Sequence, residues 1–223
     1  MVSILLAFSI EAWWSESQRK NAQIEELSRL RAELVENRQR IEARYQDQTR
    51  YSRVIATTEK ISNDINQALA DGENTIEISV PDMGNLLEMG TMELGTPILD
   101  SLVKPGRIEL IEGQQVLEAL NLWVRMYKGV LKTQRDTREF ILDDLYPALS
   151  DRADLQDLLF EGVPFQNTSQ FEPSDRIQVR IDESLGNVVA RRHFWTELNR
   201  VQWYRVIPAV DTAIEEITAL IDQ

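Results

Sequence analysis

Cysteine is absent from the 223 residues, and histidine occurs once, at His193. No disulfide can form and no thiolate can act as a nucleophile. A zinc site of the usual Cys/His kind cannot be assembled either, so no metal is expected. There is no Gly-x-Ser-x-Gly elbow, no phosphate-cradling glycine loop, no dinucleotide fingerprint and no Asp-x-Asp-x-Asp-Gly calcium loop. Carboxylates are plentiful, but no spacing singles out a pair for acid–base work. These absences predict a protein without enzyme activity and without a cofactor. Glycine (9) and proline (7) are also scarce, which leaves few interruptions and predicts that helix dominates. Hydrophobic residues at 43% and charged residues at 27% describe a chain able to bury a core.

Basic charge is the other deficit. Against 37 acidic residues stand 24 basic ones, a net charge of −13. Such a balance repels nucleic acid, which is not expected as a partner. The imbalance is uneven. Residues 15–71 carry ten basic and ten acidic side chains, whereas residues 72–223 carry 14 and 26. The chain therefore divides by composition into an apolar start at 1–14, a neutral stretch at 15–71 and an acidic domain at 72–223.

What is present is helical periodicity. No Gly or Pro occurs between Met1 and Asp71. Ile24, Leu27, Leu30, Leu34, Ile41 and Tyr45 recur at spacings of three, four or seven, and Val54, Ile55, Ile61, Ile65 and Leu69 resume the stripe. The pattern predicts one long amphipathic helix over 15–71, a strut or coiled coil, lying along its own domain and stopped by Gly72. "TIEISVP" alternates like an edge strand. Asp82 is positioned to cap a short helix, and Thr96-Pro97 opens another. "KPG" then "RIELI" reads as a hinge at Pro105 and Gly106, with Ile108, Leu110 and Ile111 as core plugs; a binding loop is the alternative. A second long helix is expected from Gln114 to Tyr146, ended by Pro147. Ser150 or Asp151 should cap "RADLQDLLF". A last helix should run from Leu185 to Asp222, kinked or split by Pro208. The fold expected is mainly α: a long N-terminal helix packed with an antiparallel helical bundle, with strands limited to short connectors.

Two residue clusters invite functional readings. Arg191, Arg192, Arg200 and Arg205 interleave with Trp195 and Trp203, as in single-strand nucleic-acid binders. In so acidic a chain the better reading is ion pairing with neighbouring acids and packing of the indoles. His193, beside Phe194 and Trp195, reads as a half-buried helix residue. The opening "MVSILLAFSIEAWW" is a different matter. It lacks the basic start and small-residue cleavage site of a signal peptide, and about ten apolar residues before Glu11 are too few to span a bilayer. Either this end docks on a partner or in the membrane interface, or the chain begins upstream and Met1–Trp14 is the outer half of a spanning helix. In both cases Glu11, Trp13 and Trp14 are the candidate contact residues, the tryptophans at headgroup depth. A positive-inside count on Arg19 and Lys20 places the domain in the cytoplasm.

"LLAFSIEAWWSESQRK", "LSRLRAELVENRQRI" and "ILDSLVKPGRIELIEGQQVLEAL", in that order, resemble a group of uncharacterised bacterial proteins. These have one N-terminal transmembrane helix, an acidic or amide residue before a tryptophan, and a helical domain. The resemblance covers about residues 1–145. It implies a single-pass anchor in the bacterial inner membrane and a periplasmic domain, the opposite side to the charge count. It implies no activity. This chain departs in carrying "KPG" where the group has Ser-Gly and in lacking a basic start. The function expected is that of a membrane-anchored accessory or scaffold protein, with the lipid bilayer and a membrane complex or homo-oligomer as partners. The alternative is a periplasmic solute-sensing helical bundle, which needs a pocket between helices.

Overall fold

The computed structural model describes residues 2–44, 49–102, 111, 113–155 and 175–222. The fold is mainly α, as the periodicity predicts, and carries a small two-stranded sheet. In chain order the elements are α1 (Val2–Arg44), α2 (Arg50–Ala70), β1 (Thr75–Ser79), α3 (Val80–Leu86), α4 (Pro97–Leu102), α5 (Gln114–Phe140), a π turn (Ile141–Leu145), α6 (Tyr146–Ser150), β2 (Arg176–Arg180) and α7 (Glu183–Ile221). Two compact units are present. One comprises Met1–Glu42, Glu93–Tyr127 and Tyr204–Gln223, the other Ala43–Met92 and Lys128–Trp203.

In the first unit, Leu27, Leu30, Leu34 and Ile41 of α1 are buried to 1% exposure or less. They join Val116, Leu120 and Trp123 of α5 and Val206, Val210, Ala213 and Ile217 of α7 in the core. Trp123 stacks on Tyr127 at 5.9 Å, and the Tyr127 hydroxyl accepts the Leu94 N–H at 2.8 Å. Asn37 is buried and donates to Gly95 O at 2.7 Å. Glu33 accepts the N–H groups of Ile98 and Leu99 at 2.8 and 3.3 Å, supplying acceptors to donors that have no partner within the first turn of α4. Burial pushes the Glu33 carboxyl above its usual range, against those two bonds.

In the second unit, Ile61 and Ile65 of α2, Met83 and Leu86 of α3, Ile78 of β1, Ile177 and Val179 of β2, and Leu185 and Val189 of α7 form one core. The strands pair antiparallel with Ile76 opposite Val179 and Ile78 opposite Ile177. Alternation puts Ile177 and Val179 inside and Arg176, Gln178 and Arg180 outside.

Several expectations change at the helix ends. The Gly- and Pro-free stretch over 15–71 is two helices. Thr49 sits in extended geometry, donates its hydroxyl to Arg44 O at 2.8 Å and accepts Ser52 N–H at 3.2 Å. One threonine thus closes α1 and caps α2, which no glycine or proline announces. Gly72 stops α2 as expected, at φ +79°, with Gly72 N bonded to Leu69 O and Glu73 N to Ala68 O. The cap of α3 is Ser79, not Asp82; its hydroxyl accepts Asp82 N–H at 3.2 Å, and Asp82 lies in the first turn. Thr96-Pro97 does open α4.

Pro147 does not end its helix. A π turn precedes it, with Tyr146 N bonded to Ile141 O, and Pro147 falls in the first turn of α6, where its missing donor costs little. Nor does Pro208 split α7, which is continuous through it. The buried neighbours Val206, Ala209 and Val210 hold the backbone in place, offsetting the ~3 kcal/mol that an interior proline costs. β2 was not foreseen; its partner lies about a hundred residues earlier in the chain. Residues 151–153 form a turn and bend, and the rest of the short helix expected over 152–160 lies, beyond Leu155, outside the described residues. So do the hinge residues Pro105 and Gly106; of "RIELI" only Ile111 is described, and it is buried.

Candidate functional site

The residues singled out near the start lie on α1 beyond its packed portion. From Ile10 to Ala22 every side chain except Ser17 is exposed, Glu11 included. Ile10, Trp13 and Trp14 are 56%, 67% and 59% exposed. Their i, i+3, i+4 spacing puts them on one face of the helix, with Glu11 about a quarter-turn round. The same face then turns polar at Ser17 and Asn21 and becomes apolar again at Ile24 and Leu27, where the helix seats in its unit. The exposed tryptophans and the first fully buried leucine are 13 residues apart, roughly 20 Å of helix. Beside this seat is a groove of about 340 Å³, lined among others by Glu16, Arg19, Lys20, Gln23 and Leu220. Its lining joins the charged Glu16, Arg19 and Lys20 with the apolar Ile24, Leu27 and Leu220.

The basic–aromatic cluster resolves otherwise. In the second unit Arg191 pairs with Asp144 at 3.1 Å and lies over the Phe140 ring at 4.8 Å, and Arg200 pairs with Glu197 at 2.5 Å. Trp203 is buried and Trp195 half-buried. In the first unit Arg205 is exposed. Ion pairing and indole packing therefore account for much of this cluster.

Arg192 departs from that reading. It is 2% exposed, and its guanidinium donates to carbonyls and a hydroxyl rather than to a carboxylate. Nε donates to Leu86 O at 2.9 Å, Nη2 to Glu88 O at 2.8 Å and Nη1 to Thr196 Oγ1 at 2.5 Å. Burial pulls its pKa down to about 10, against the Tyr51 and Glu88 fields. The first of these carbonyls belongs to the last residue of α3, where the helix dipole favours a cation. The next residues are irregular, and their carbonyls are taken at every second position. Arg44 donates to Gly90 O, and Gln134, itself buried, bonds both Met92 O (3.2 Å) and Met92 N (3.1 Å). The carbonyls of Leu86, Glu88, Gly90 and Met92 are thus tied down along an irregular segment by Arg192, Arg44 and Gln134 of the long helices.

Gly90 is required in this arrangement. Its φ is +37°, and a Cβ there would stand 3.3 Å from the Tyr51 ring. Arg44 lies over that ring at 4.8 Å, and the Tyr51 hydroxyl donates to Thr196 O at 3.1 Å. Burial pushes the Tyr51 phenol up to about 12. The whole cluster is structural in what it does: it holds backbone. Sequence reasoning missed it because an arginine on a helix carries no sign of whether it will meet a carboxylate or a carbonyl.

His193 is half-buried, with Nδ1 3.3 Å from Thr58 Oγ1. That hydroxyl is fully buried and already donates to Ile55 O at 2.9 Å. The Thr58 hydroxyl thus bridges the imidazole and the turn carbonyl of Ile55 within α2. Among the described residues no three His, Asp or Glu side chains converge as metal ligands, and no helix is long and apolar enough to cross a membrane. Comparison with protein-family models, with curated proteins and with solved structures finds no match for the chain.

Proposed function

We propose that the protein is a non-enzymatic, membrane-anchored accessory or scaffold protein that works by contact, and that the exposed end of α1 is its anchoring and partner-binding element. The observation that carries this is the placement of Ile10, Trp13 and Trp14 on one exposed face, some 20 Å from the seat of their own helix. Covering these side chains would remove on the order of 300 Å² of apolar area from water, worth roughly 7 kcal/mol. Tryptophans at a helix position flanked by Glu11 on one side and Arg19 and Lys20 on the other suit headgroup depth, with the apolar Val2–Ile10 segment directed inward. The arm acts either at the interface or as the outer part of a longer span. On the resemblance of residues 1–145, the membrane is the bacterial inner membrane and the acidic domain is periplasmic.

The alternative of a solute sensor needs an enclosed pocket with convergent polar groups. The apolar space beside Leu99, Leu102, Leu120 and Val124 in the first unit amounts to about 20 Å³, the room of a single water. Ligand-dependent thermal stabilisation would favour the sensor over the scaffold. Extraction of the native membrane in mild detergent, followed by sizing and cross-linking from a photoreactive residue at position 13, provides the test. The proposal expects a stoichiometric complex and cross-links to lipid or to a membrane subunit. A protein that runs alone at every concentration and cross-links to neither would overturn it.

A further inference from the structure

The two-stranded sheet of the second unit has two edges, and they differ. Ile181 N bonds Asn74 O at 2.9 Å, and Val80 N bonds Asp175 O at 3.2 Å. With the register Ile76–Val179 and Ile78–Ile177 between them, the alternation of an antiparallel ladder is fixed. Ile76 and Ile78 turn their N–H and C=O groups toward β2. Thr75 and Glu77 turn theirs the other way. On β2 the outward groups belong to residues 176, 178 and 180, and that edge is partly closed, because Arg180 N donates to Arg152 O at 3.0 Å. Among the described residues no strand pairs with the outer edge of β1.

A groove of about 510 Å³ runs along β1, lined by Asp64 and Gln67 of α2, the residue Asp71 just after it, Glu73, Thr75 and Glu77, and by Arg176 and Gln178 of β2. Asp64, Asp71, Glu73 and Glu77 are all exposed. The cation at this groove, Arg176, is paired with Glu77 at 3.2 Å, so the lining keeps an excess of negative charge. An unpaired ladder edge recognises an extended main chain, and acids alongside it select basic side chains. We propose that the outer edge of β1 is a docking site for an extended, lysine- or arginine-bearing segment of a partner protein, which adds to the sheet as a third strand. Alternate side chains of that segment would meet the acids of α2 and Glu77. Its ladder is short, so the contact belongs to the weak, reversible class. It does not depend on the arm of α1.

The test uses the full-length protein and a synthetic octapeptide alternating lysine with threonine. The controls are the same peptide with glutamate for lysine and a version N-methylated at alternate backbone positions. Binding is read by fluorescence anisotropy of the labelled peptide and by amide exchange of the protein. The lysine peptide should bind and slow exchange at Thr75 and Glu77. The glutamate peptide should bind at least tenfold more weakly, and N-methylation should abolish binding. Thr75→Pro removes one outward N–H without touching the β1–β2 ladder; it should keep the melting temperature and lose binding. The double variant Asp71→Asn, Glu77→Gln should weaken binding severalfold. Equal binding of the N-methylated peptide would leave charge attraction without strand addition and would overturn the proposal. So would undiminished binding to a folded Thr75→Pro protein, protection mapped to another surface, or no binding of the lysine peptide at millimolar concentration.

Discussion

Replacing Arg192 with methionine removes the side chain that closes the end of α3, and the structure allows its effect to be worked out. Three hydrogen bonds are lost, each from a cationic donor and worth about 1.5–3 kcal/mol. Against this, the guanidinium is held charged in a site that pulls its pKa from 12.5 to about 10. That depression corresponds to a cost of roughly 3 kcal/mol, which the variant recovers. Methionine restores most of the volume. The balance is a loss of about 2–6 kcal/mol, since the buried Leu86 carbonyl and the part-buried Glu88 carbonyl lose the Arg192 donor. For a chain of this length about 3 kcal/mol lowers the melting temperature by roughly 6–12 °C. The assay is thermal unfolding by near-ultraviolet circular dichroism, with amide exchange over residues 86–92 to localise the effect. Faster exchange there, with the β1–β2 ladder still protected, is the expected pattern. A melting temperature equal to or above that of the native protein would refute the reasoning. It would mean that the buried charge costs more than its bonds return.

Other consequences are simpler. Tyr127→Phe removes the acceptor of the buried Leu94 N–H and should cost about 1–3 kcal/mol in denaturant unfolding. Leu30→Ala, at a fully buried α1 position, should cost about 2–5 kcal/mol. Asp182 accepts Leu185 N–H at 2.7 Å at the start of α7 and pairs with Arg152 at 2.8 Å. The Arg152 hydrogen bond and then the Leu185 N–H hold its carboxyl below the usual value of 3.8. A group with a depressed folded pKa contributes stability above its unfolded pKa and loses it as pH falls through the folded one. Asp182→Ala should therefore lower stability by about 1 kcal/mol at pH 7, and the gap between variant and native protein should narrow below about pH 4 in paired melts.

The helical character and most core positions were legible in the chain because they follow from local spacing. Leu27, Leu30 and Leu34 at three- and four-residue intervals can share a face only in a helix, and all three are buried. Gly72 marked a true helix end because its positive φ is costly for other residues. What failed to show depended on partners far away or on chemistry shared by many residues. Thr49 is one of many hydroxyl residues in the chain, and only its two bonds mark it as the boundary between α1 and α2. Pro147 and Pro208 looked like breaks because proline removes a donor, yet a π turn absorbs the first and core packing holds the second. "RIQVR" alternates like a strand, but its ladder closes on residues 75–79. The candidate contact residues were visible as an apolar run ending in two tryptophans. Their exposure was not, since the same run could equally have been the buried end of a core helix.

The central claim, that the end of α1 meets a membrane, is tested most directly by tryptophan fluorescence on vesicles. Of the five tryptophans, Trp13 and Trp14 are exposed, Trp195 is half-buried, and Trp123 and Trp203 are buried. Mixing the full-length protein with phospholipid vesicles should shift its emission to the blue, and lipids brominated near the headgroup should quench it more than lipids brominated at the chain ends. The Trp13→Ser, Trp14→Ser double variant should show neither change while keeping the native melting temperature. Emission that is unaltered by vesicles, or a shift and quenching that persist in the double variant, would contradict the account.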